Sequence, residues 1–313
     1  MSDYKILITD GLHEKGQAVF HGAARVDDST GISPEELVKI VEQYDALIVR
    51  GRTKVTAQVF EAGKKLKVVG RAGVGVDNID LDAAKARGVT VVNAPTSTTL
   101  AVAELAFGLM LALARHIPRA DAGMKAGQWL KKELKGIELS GRTLGIVGVG
   151  RIGAELGQRA AAFGMRVIGY DPYLSGQDIG QRGAEPVSLD ELYAASDFIS
   201  LHLPLTDETR AMLNEQAFGR MKRGVRIVCA ARGGIIDESA LLAALESGQV
   251  AGAALDVFAA EPPGATDLVM HPGVIATPHI GAQTAESQMR AAEDIATEVL
   301  AALEQKPLRW KIV

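Results

Sequence analysis

TLGIVGVGRIGAELGQRAAAFGMRVIGYD, residues Thr143 to Asp171, is the stretch whose reading decides the fold. The apolar run Leu144 to Val147 predicts a buried strand. It runs into Gly148-Val149-Gly150-Arg151-Ile152-Gly153, after which Ala154 to Phe163 has helix-forming composition. Gly164 breaks that helix, Arg166 to Tyr170 predicts a second strand, and Asp171 follows it. Each glycine of such a turn answers a separate demand: Gly148 the tight turn, Gly150 the approach of a diphosphate to the backbone, and Gly153 the close packing of helix on strand. The helix N-terminus would add unpaired N–H groups and a positive dipole end. Strand, glycine turn, helix, strand and acid in that order predict a dinucleotide site.

Asp171 chooses between dinucleotides. A carboxylate there accepts the ribose hydroxyls of NAD and repels the 2′-phosphate of NADP. Pro172 and Tyr173 supply no cation for that phosphate, so NAD is the expected cofactor.

Working outward, 313 residues suffice for two ordinary domains. A hydrophobic content of 47% with 23% charged residues is that of a globular protein. The net charge of −4 argues against a nucleic-acid partner. The lone cysteine, Cys229, permits no internal disulfide and suits a reducing cytoplasm, the expected location. Met1-Ser2-Asp3-Tyr4-Lys5 leads straight into a strand, so no signal peptide is expected. Leu105 to Ala114, the most apolar stretch, is too short for a membrane span and predicts a core helix. No His, Cys or carboxylate group has metal-ligand spacing, so no metal is expected.

The first ninety or so residues alternate strands and helices. Strands are predicted at Lys5–Thr9, Asp45–Val49, Leu66–Val69 and Val89–Val92, with a weaker one near Ala24–Val26. Ser33-Pro34-Glu35-Glu36 is a capping box with proline at the first helical position, opening a helix to Tyr44. Asp80 caps a short helix that Gly88 ends. Such alternation implies a parallel sheet. Asn93 to Thr99 is the expected crossover into a long, nearly uniformly apolar helix, Leu100 to about Arg115, which should lie buried between domains or subunits. Further strands are predicted at Phe198–Leu201, Ile227–Ala230, Gly252–Val257 and Val274–Thr277. A last helix, Ala285 to Leu303, carries Met289, Ala292, Ile295, Val299 and Leu303 at helical spacing. It should return to the first domain with the closing Leu308–Val313. The expected organisation is an α/β protein of two doubly wound parallel-sheet domains. A Rossmann NAD domain, 97–283, is inserted into a flavodoxin-like substrate domain, 1–96 with 284–313.

Ligands of open α/β sheets bind outside the carboxyl ends of the strands. The polar residues there are Arg50, Arg52 and the turn Arg71 to Asn78 in the first domain. In the second they are Arg232, Glu261 and His279: a cation, a carboxylate and an imidazole. Those are the parts that hydride transfer to a keto acid needs. His202 also ends a strand, where lining the cofactor is its alternative role. Cys229 fits a buried strand position. Exposed N–H groups in the turn around Gly73 and Gly75 could bind a carboxylate.

GVGRIG with Asp171, Ala231-Arg232-Gly233-Gly234-Ile235-Ile236-Asp237, Asp256-Val257-Phe258 leading to Glu261-Pro262, and Thr277-Pro278-His279-Ile280-Gly281 together resemble the D-isomer-specific 2-hydroxyacid dehydrogenases. The resemblance spans essentially the whole chain. It implies a catalytic trio of Arg232, Glu261 and His279. It implies substrate contacts from Val74 and Gly75 with Asn78 nearby, and cofactor contacts from Gly148, Gly150, Arg151, Ile152, Gly153, Asp171, Leu203, Ala230, Arg232, Asp256 and His279. A homodimer is implied by the family and by the helix after Leu100. Val49 to Val55 and Gly70 to Asp80 look most like the members acting on D-3-phosphoglycerate. Ser97-Thr98, Gly51 and Cys229 depart from that branch, where Gly-Asn, serine and asparagine are usual. The chain ends at Val313 without the regulatory domain many of those enzymes carry, so inhibition by serine is not expected.

Arg232 and the Val74–Gly75 turn account for one carboxylate. Arg50 and Arg52, with Lys54 close by, then suit a second anion, and arginine forks match phosphate oxygens. The expected pair is D-3-phosphoglycerate and 3-phosphohydroxypyruvate, the chemistry of serine biosynthesis, ahead of glyoxylate or hydroxypyruvate. A different class stays open: a cofactor-sensing module of the kind found among corepressors similar to this family, against which the lack of any basic tail counts.

Overall fold

The computed structural model describes residues 4–313. The opening Met1-Ser2-Asp3, where the absence of a signal peptide was expected, lies outside the described residues. The chain divides into two compact units, Met1–Thr99 with Ala282–Val313, and Leu100–Gly281. The sequence pattern predicts these divisions at 96/97 and 283/284.

In the first unit the strands are β1 (Tyr4–Ile8), β2 (Ala24–Asp28), β3 (Ala46–Val49), β4 (Val68–Arg71) and β5 (Thr90–Asn93). They pair in the order β2-β1-β3-β4-β5, every neighbour parallel. That is the flavodoxin-like order, whose switch point lies between β1 and β3. The Ser33 capping box forms with Glu36 as predicted. The helix it opens stops at Ile40, short of the expected Tyr44, and tightens into a 3-10 turn over Val41–Gln43. Asp80 caps Leu81–Arg87, and Gly88 ends it in the left-handed conformation.

The last helix, Ala285–Leu303, buries Ala292, Ile295, Ala296, Val299 and Leu303 against Ile6, Ile8, Val68 and Val92. Gly70 permits this approach, since a Cβ there would lie 2.5 Å from Val299 Cγ2. Glu298, 2% exposed, ties down the chain end by accepting from the Arg309 and Trp310 amides and from Arg309 Nε. Val313 and Trp310 carbonyls then accept from Val91 and Asn93.

The second unit holds β6 (Thr143–Val147), β7 (Arg166–Tyr170), β8 (Glu185–Pro186), β9 (Phe198–Leu201), β10 (Val225–Cys229), β11 (Val250–Leu255) and β12 (Val274–Ala276). The all-parallel order β12-β11-β10-β9-β6-β7-β8 is the Rossmann arrangement extended by one strand, reversing direction at β6. The helix Thr99–Arg115 packs Ala103, Ala106, Phe107, Met110 and Leu113 on Leu144, Ile146, Phe198, Val228 and Ala254 of this unit's own sheet. Its sequence is apolar all round, but its burial is one-sided. Leu100, Glu104, Gly108 and Arg115 form an exposed stripe. Among the described residues no single helix is long and apolar enough to cross a membrane.

Candidate active site

The glycine turn joins β6 to the helix Arg151–Ala162, which starts three residues before the expected Ala154 because Gly150 itself is the N-cap. Gly148 takes φ 93°, open to glycine and strained for other residues, and a Cβ there would lie 2.6 Å from the His202 carbonyl. At Gly153 a Cβ would run into the Gly148 carbonyl, whereas at Gly150 it would meet nothing within 4 Å. The turn is thus closed on its strand side and open where a diphosphate would approach. Arg151 is exposed and Ile152 half-buried at the helix start.

Asp171, just past β7, reaches back to this turn. Its Oδ2 accepts from the Val149 amide at 3.0 Å and its Oδ1 from the Tyr173 amide at 3.0 Å. The carboxylate therefore sits beside the helix N-terminus with one lone pair on each oxygen still available. An open face over Gly150, free helix N–H groups and an acid at the ribose position fit a dinucleotide lacking a 2′-phosphate.

Beyond β9, β10, β11 and β12 lie the other predicted residues. Leu203 is 8% exposed and Ala230 half-buried. Cys229 is buried, and burial pushes its thiol up to about 11, so it is no nucleophile. Arg232 donates from Nη1 to the Ala231 carbonyl at 2.7 Å. Its turn lies hard against the Phe258 carbonyl, a contact only Gly233 permits. The loop carrying Glu261 starts at that same Phe258, whose amide donates to Glu261 Oε1 at 3.1 Å. Glu261 Oε2 lies 2.8 Å from His279 Nδ1, leaving Nε2 as the ring atom that can meet a substrate. Both side chains are partly open to solvent, 38% for Glu261 and 50% for His279.

His279 sits at φ 52°, which a non-glycine residue adopts only when its surroundings hold it there. Asp256 does the holding. It is 1% exposed, and it accepts from Thr277 Oγ1 at 2.6 Å, from the Ile280 amide at 2.8 Å and from the Gly281 amide at 2.8 Å. The family resemblance implies a cofactor contact for Asp256; its hydrogen bonds also tie it to the loop that carries the imidazole.

His202 lines the other side of the glycine turn. Its Nε2 is 2.9 Å from Ser200 Oγ, while the enclosed Nδ1 has no partner among the described residues. Burial pushes its pKa down to about 4, which keeps the ring neutral.

In the first unit the ends of β1, β3 and β4 surround a cavity of about 230 Å³ lined by Asp10, His13, Arg50, Ala72 and Gln288 among others. Asp10 organises it. Its Oδ2 accepts from the amides of Arg50 (2.8 Å) and Thr53 (3.1 Å), its Oδ1 from Thr53 Oγ1 (2.6 Å) and Arg52 Nε (3.3 Å). Burial works against that charge, but the Thr53 and Arg50 hydrogen bonds and the Arg52 guanidinium hold the carboxyl below the usual range. Arg52 also donates to the Thr9 carbonyl, so it is partly tied down, whereas Arg50 faces the cavity. The Asn78 amide donates to the Arg50 and Thr53 carbonyls and so braces the same loop. Val74 and Gly75 keep their amides without backbone acceptors among the described residues, while Asn93 holds the Val74 carbonyl at 2.6 Å. Asp10 was missed from sequence, although it follows β1 as Arg50 follows β3.

Residues 107–281 match the NAD binding domain of the D-isomer specific 2-hydroxyacid dehydrogenases. D-3-phosphoglycerate dehydrogenase of Rattus norvegicus is 48% identical over 305 residues, 97% of this chain and 57% of that protein. The enzyme of the same name from Methanocaldococcus jannaschii is 49% identical over 296 residues, 94% of this chain and 56% of that one. The chain thus spans little more than half the length of these relatives. Among solved structures, a glyoxylate reductase from Paecilomyes thermophila superposes with a TM-score of 0.91 at 32% identity, covering 100% of this chain and 99% of the other. D-lactate dehydrogenase from Aquifex aeolicus, complexed with NAD and lactic acid, superposes at 0.82 with 32% identity, covering 96% of each chain. By its fold, its matched domain and these full-length structural likenesses, the chain belongs to the D-isomer specific 2-hydroxyacid dehydrogenase family.

Proposed function

We propose that the protein transfers a hydride between NAD(H) and a D-2-hydroxy acid, with D-3-phosphoglycerate and 3-phosphohydroxypyruvate as the preferred pair. The observation that carries the reading is the 2.8 Å pair of His279 Nδ1 and Glu261 Oε2 at the strand edge that also bears the Asp171-capped glycine turn. NADH, when bound, supplies the hydride. Arg232 orients the keto acid and polarises its carbonyl. His279 donates a proton to the carbonyl oxygen from Nε2, and Glu261 stabilises the imidazolium at Nδ1. In the oxidising direction the neutral ring is the base. Gly148, Gly150, Gly153, Arg151, Ile152, Leu203 and Ala230 form the cofactor bed, and Asp171 holds the adenosine ribose.

Substrate contacts in the first unit are the Val74 and Gly75 amides for the carboxylate, and Arg50 with Arg52 for the phosphate. The 48% identity to a D-3-phosphoglycerate dehydrogenase supports the phosphorylated substrate. The likeness to a glyoxylate reductase makes the unphosphorylated keto acids the competing class. We assign the protein to the cytoplasm as a homodimer that engages neither nucleic acid nor membrane. The lone buried Cys229 and the acidic net charge of −4 support this.

Replacing Arg50 and Arg52 together by alanine tests the substrate. KM for 3-phosphohydroxypyruvate should rise roughly 10–100-fold on loss of charged hydrogen bonds, with that for hydroxypyruvate nearly unchanged. Equal effects on both would remove the phosphate role. A protein that binds NADH but turns over no 2-keto acid would instead be a cofactor-sensing module.

A further inference from the structure

Val149, between the first two glycines of the turn, is pinned on both sides of its backbone. Its side chain is fully buried, packed with Ile179 and Ala184 around Gly169. Its amide donates to Asp171 Oδ2 at 3.0 Å. Its carbonyl accepts from Arg182 Nη1 at 2.7 Å. Arg182 is the half-buried C-cap of the helix Gly176–Gln181, which the Ser175–Asp178 capping box opens. Two side chains of opposite charge therefore hold one residue of the turn, and only Asp171 was legible as part of the site.

The consequence follows from peptide geometry. A trans peptide is planar, and its C=O and N–H point in opposite directions. Fixing the Val149 carbonyl on Arg182 thus fixes the Gly150 N–H away from Arg182. That N–H has no acceptor among the described residues, and the space over Gly150 is open. Glycine at 150 has little steric resistance to rotation of this plane, so an external restraint is what selects its orientation.

We propose that Arg182 is a positioning residue for the dinucleotide's diphosphate: it sets the Val149–Gly150 peptide so that the Gly150 N–H meets a phosphate oxygen. Arg182 itself touches no phosphate in this arrangement. The proposal rests on the dinucleotide reading of the glycine turn and adds a residue from outside it.

The test rests on ADP and adenosine, which differ only in the diphosphate. NADH affinity is measured by fluorescence, and ADP and adenosine are compared by their displacement of NADH, in the wild type, Arg182→Met and Arg182→Lys. Arg182→Met should weaken NADH and ADP alike by roughly 10–100-fold, the scale of a lost charge-assisted hydrogen bond, and leave adenosine unchanged. Arg182→Lys, which keeps a cationic donor, should recover most of the loss. A merely structural role would weaken adenosine as much as ADP, and that result overturns the proposal, as does unchanged ADP binding in Arg182→Met. If Arg182→Met fails to fold, ADP affinity in Arg182→Lys falling together with adenosine affinity overturns it equally. A wild type that binds no NADH removes the dinucleotide reading, and the proposal with it.

Discussion

Asp256→Asn keeps the volume of the buried side chain and changes what its atoms can do. The amide oxygen can still accept from Thr277 Oγ1 and the Ile280 amide, but the NH₂ group then faces the Gly281 N–H, donor against donor. One hydrogen bond to a charged acceptor is lost and one buried N–H is left unpaired, a cost of about 2–3 kcal/mol. Melting should fall by roughly 5–10 °C. The same clamp keeps His279 at φ 52°, a conformation that costs about 1–3 kcal/mol by itself. If the loop recovers about 1–2 kcal/mol by relaxing, the fraction with a correctly placed imidazole drops roughly 5–30-fold, and kcat for keto-acid reduction drops with it. NADH affinity, followed by fluorescence, should change less than kcat, because the loop takes three of the carboxylate's roughly four acceptor positions. The opposite pattern, weak NADH binding with unaltered kcat and melting, would refute the clamp and return Asp256 to direct cofactor contact.

Three other variants probe separate parts of the site. His279→Ala should cost about 10²–10⁴-fold in kcat with little effect on NADH affinity, and Glu261→Gln should cost less; full turnover in His279→Ala, measured by NADH oxidation, would rule out the proton-transfer role. Asp171→Asn retains an acceptor for the Val149 amide but loses the charge, so the ratio of kcat/KM for NADH to that for NADPH should fall; a wild type with no preference would contradict the role of that charge. His202 stays neutral in the fold down to about pH 4, whereas the unfolded chain takes up its proton as the pH falls through 6.5. Its contribution is therefore complete above 6.5 and lost between 6.5 and about 4, on the order of 3 kcal/mol, and urea denaturation of His202→Gln should show a shallower acid loss across that window.

The elements legible in the sequence were those with a local physical signature. The glycine turn, the Ser33 and Asp80 caps, and the apolar period of Ala285–Leu303 each follow from chemistry within a few residues. Helices Gly176–Gln181 and Leu189–Ala195 were missed, though Ser175 with Asp178 and Ser188 with Glu191 carry the same capping signal as Ser33. Strand ends drifted by one or two residues because register depends on partners the sequence does not display. The long helix from Thr99 is buried on the face it turns to its own unit, since alanine and glycine permit burial without demanding it on every side. At the site, Arg232, Glu261 and His279 stood out as strand-end residues. The hydrogen bonds of Asp10 and Arg182, and those by which Asp256 holds the His279 loop, reach partners 21 to 43 residues away. No periodicity records such contacts.

The central claim is hydride transfer to a phosphorylated 2-keto acid. The direct measurement is kcat/KM of the wild-type protein with NADH for 3-phosphohydroxypyruvate against hydroxypyruvate, glyoxylate and pyruvate, followed by NADH oxidation. The phosphorylated substrate should rank first by at least about tenfold, the scale of one charged hydrogen bond from arginine to phosphate. Equal efficiency on hydroxypyruvate and its phosphate would contradict it and leave a dehydrogenase of simple 2-hydroxy acids.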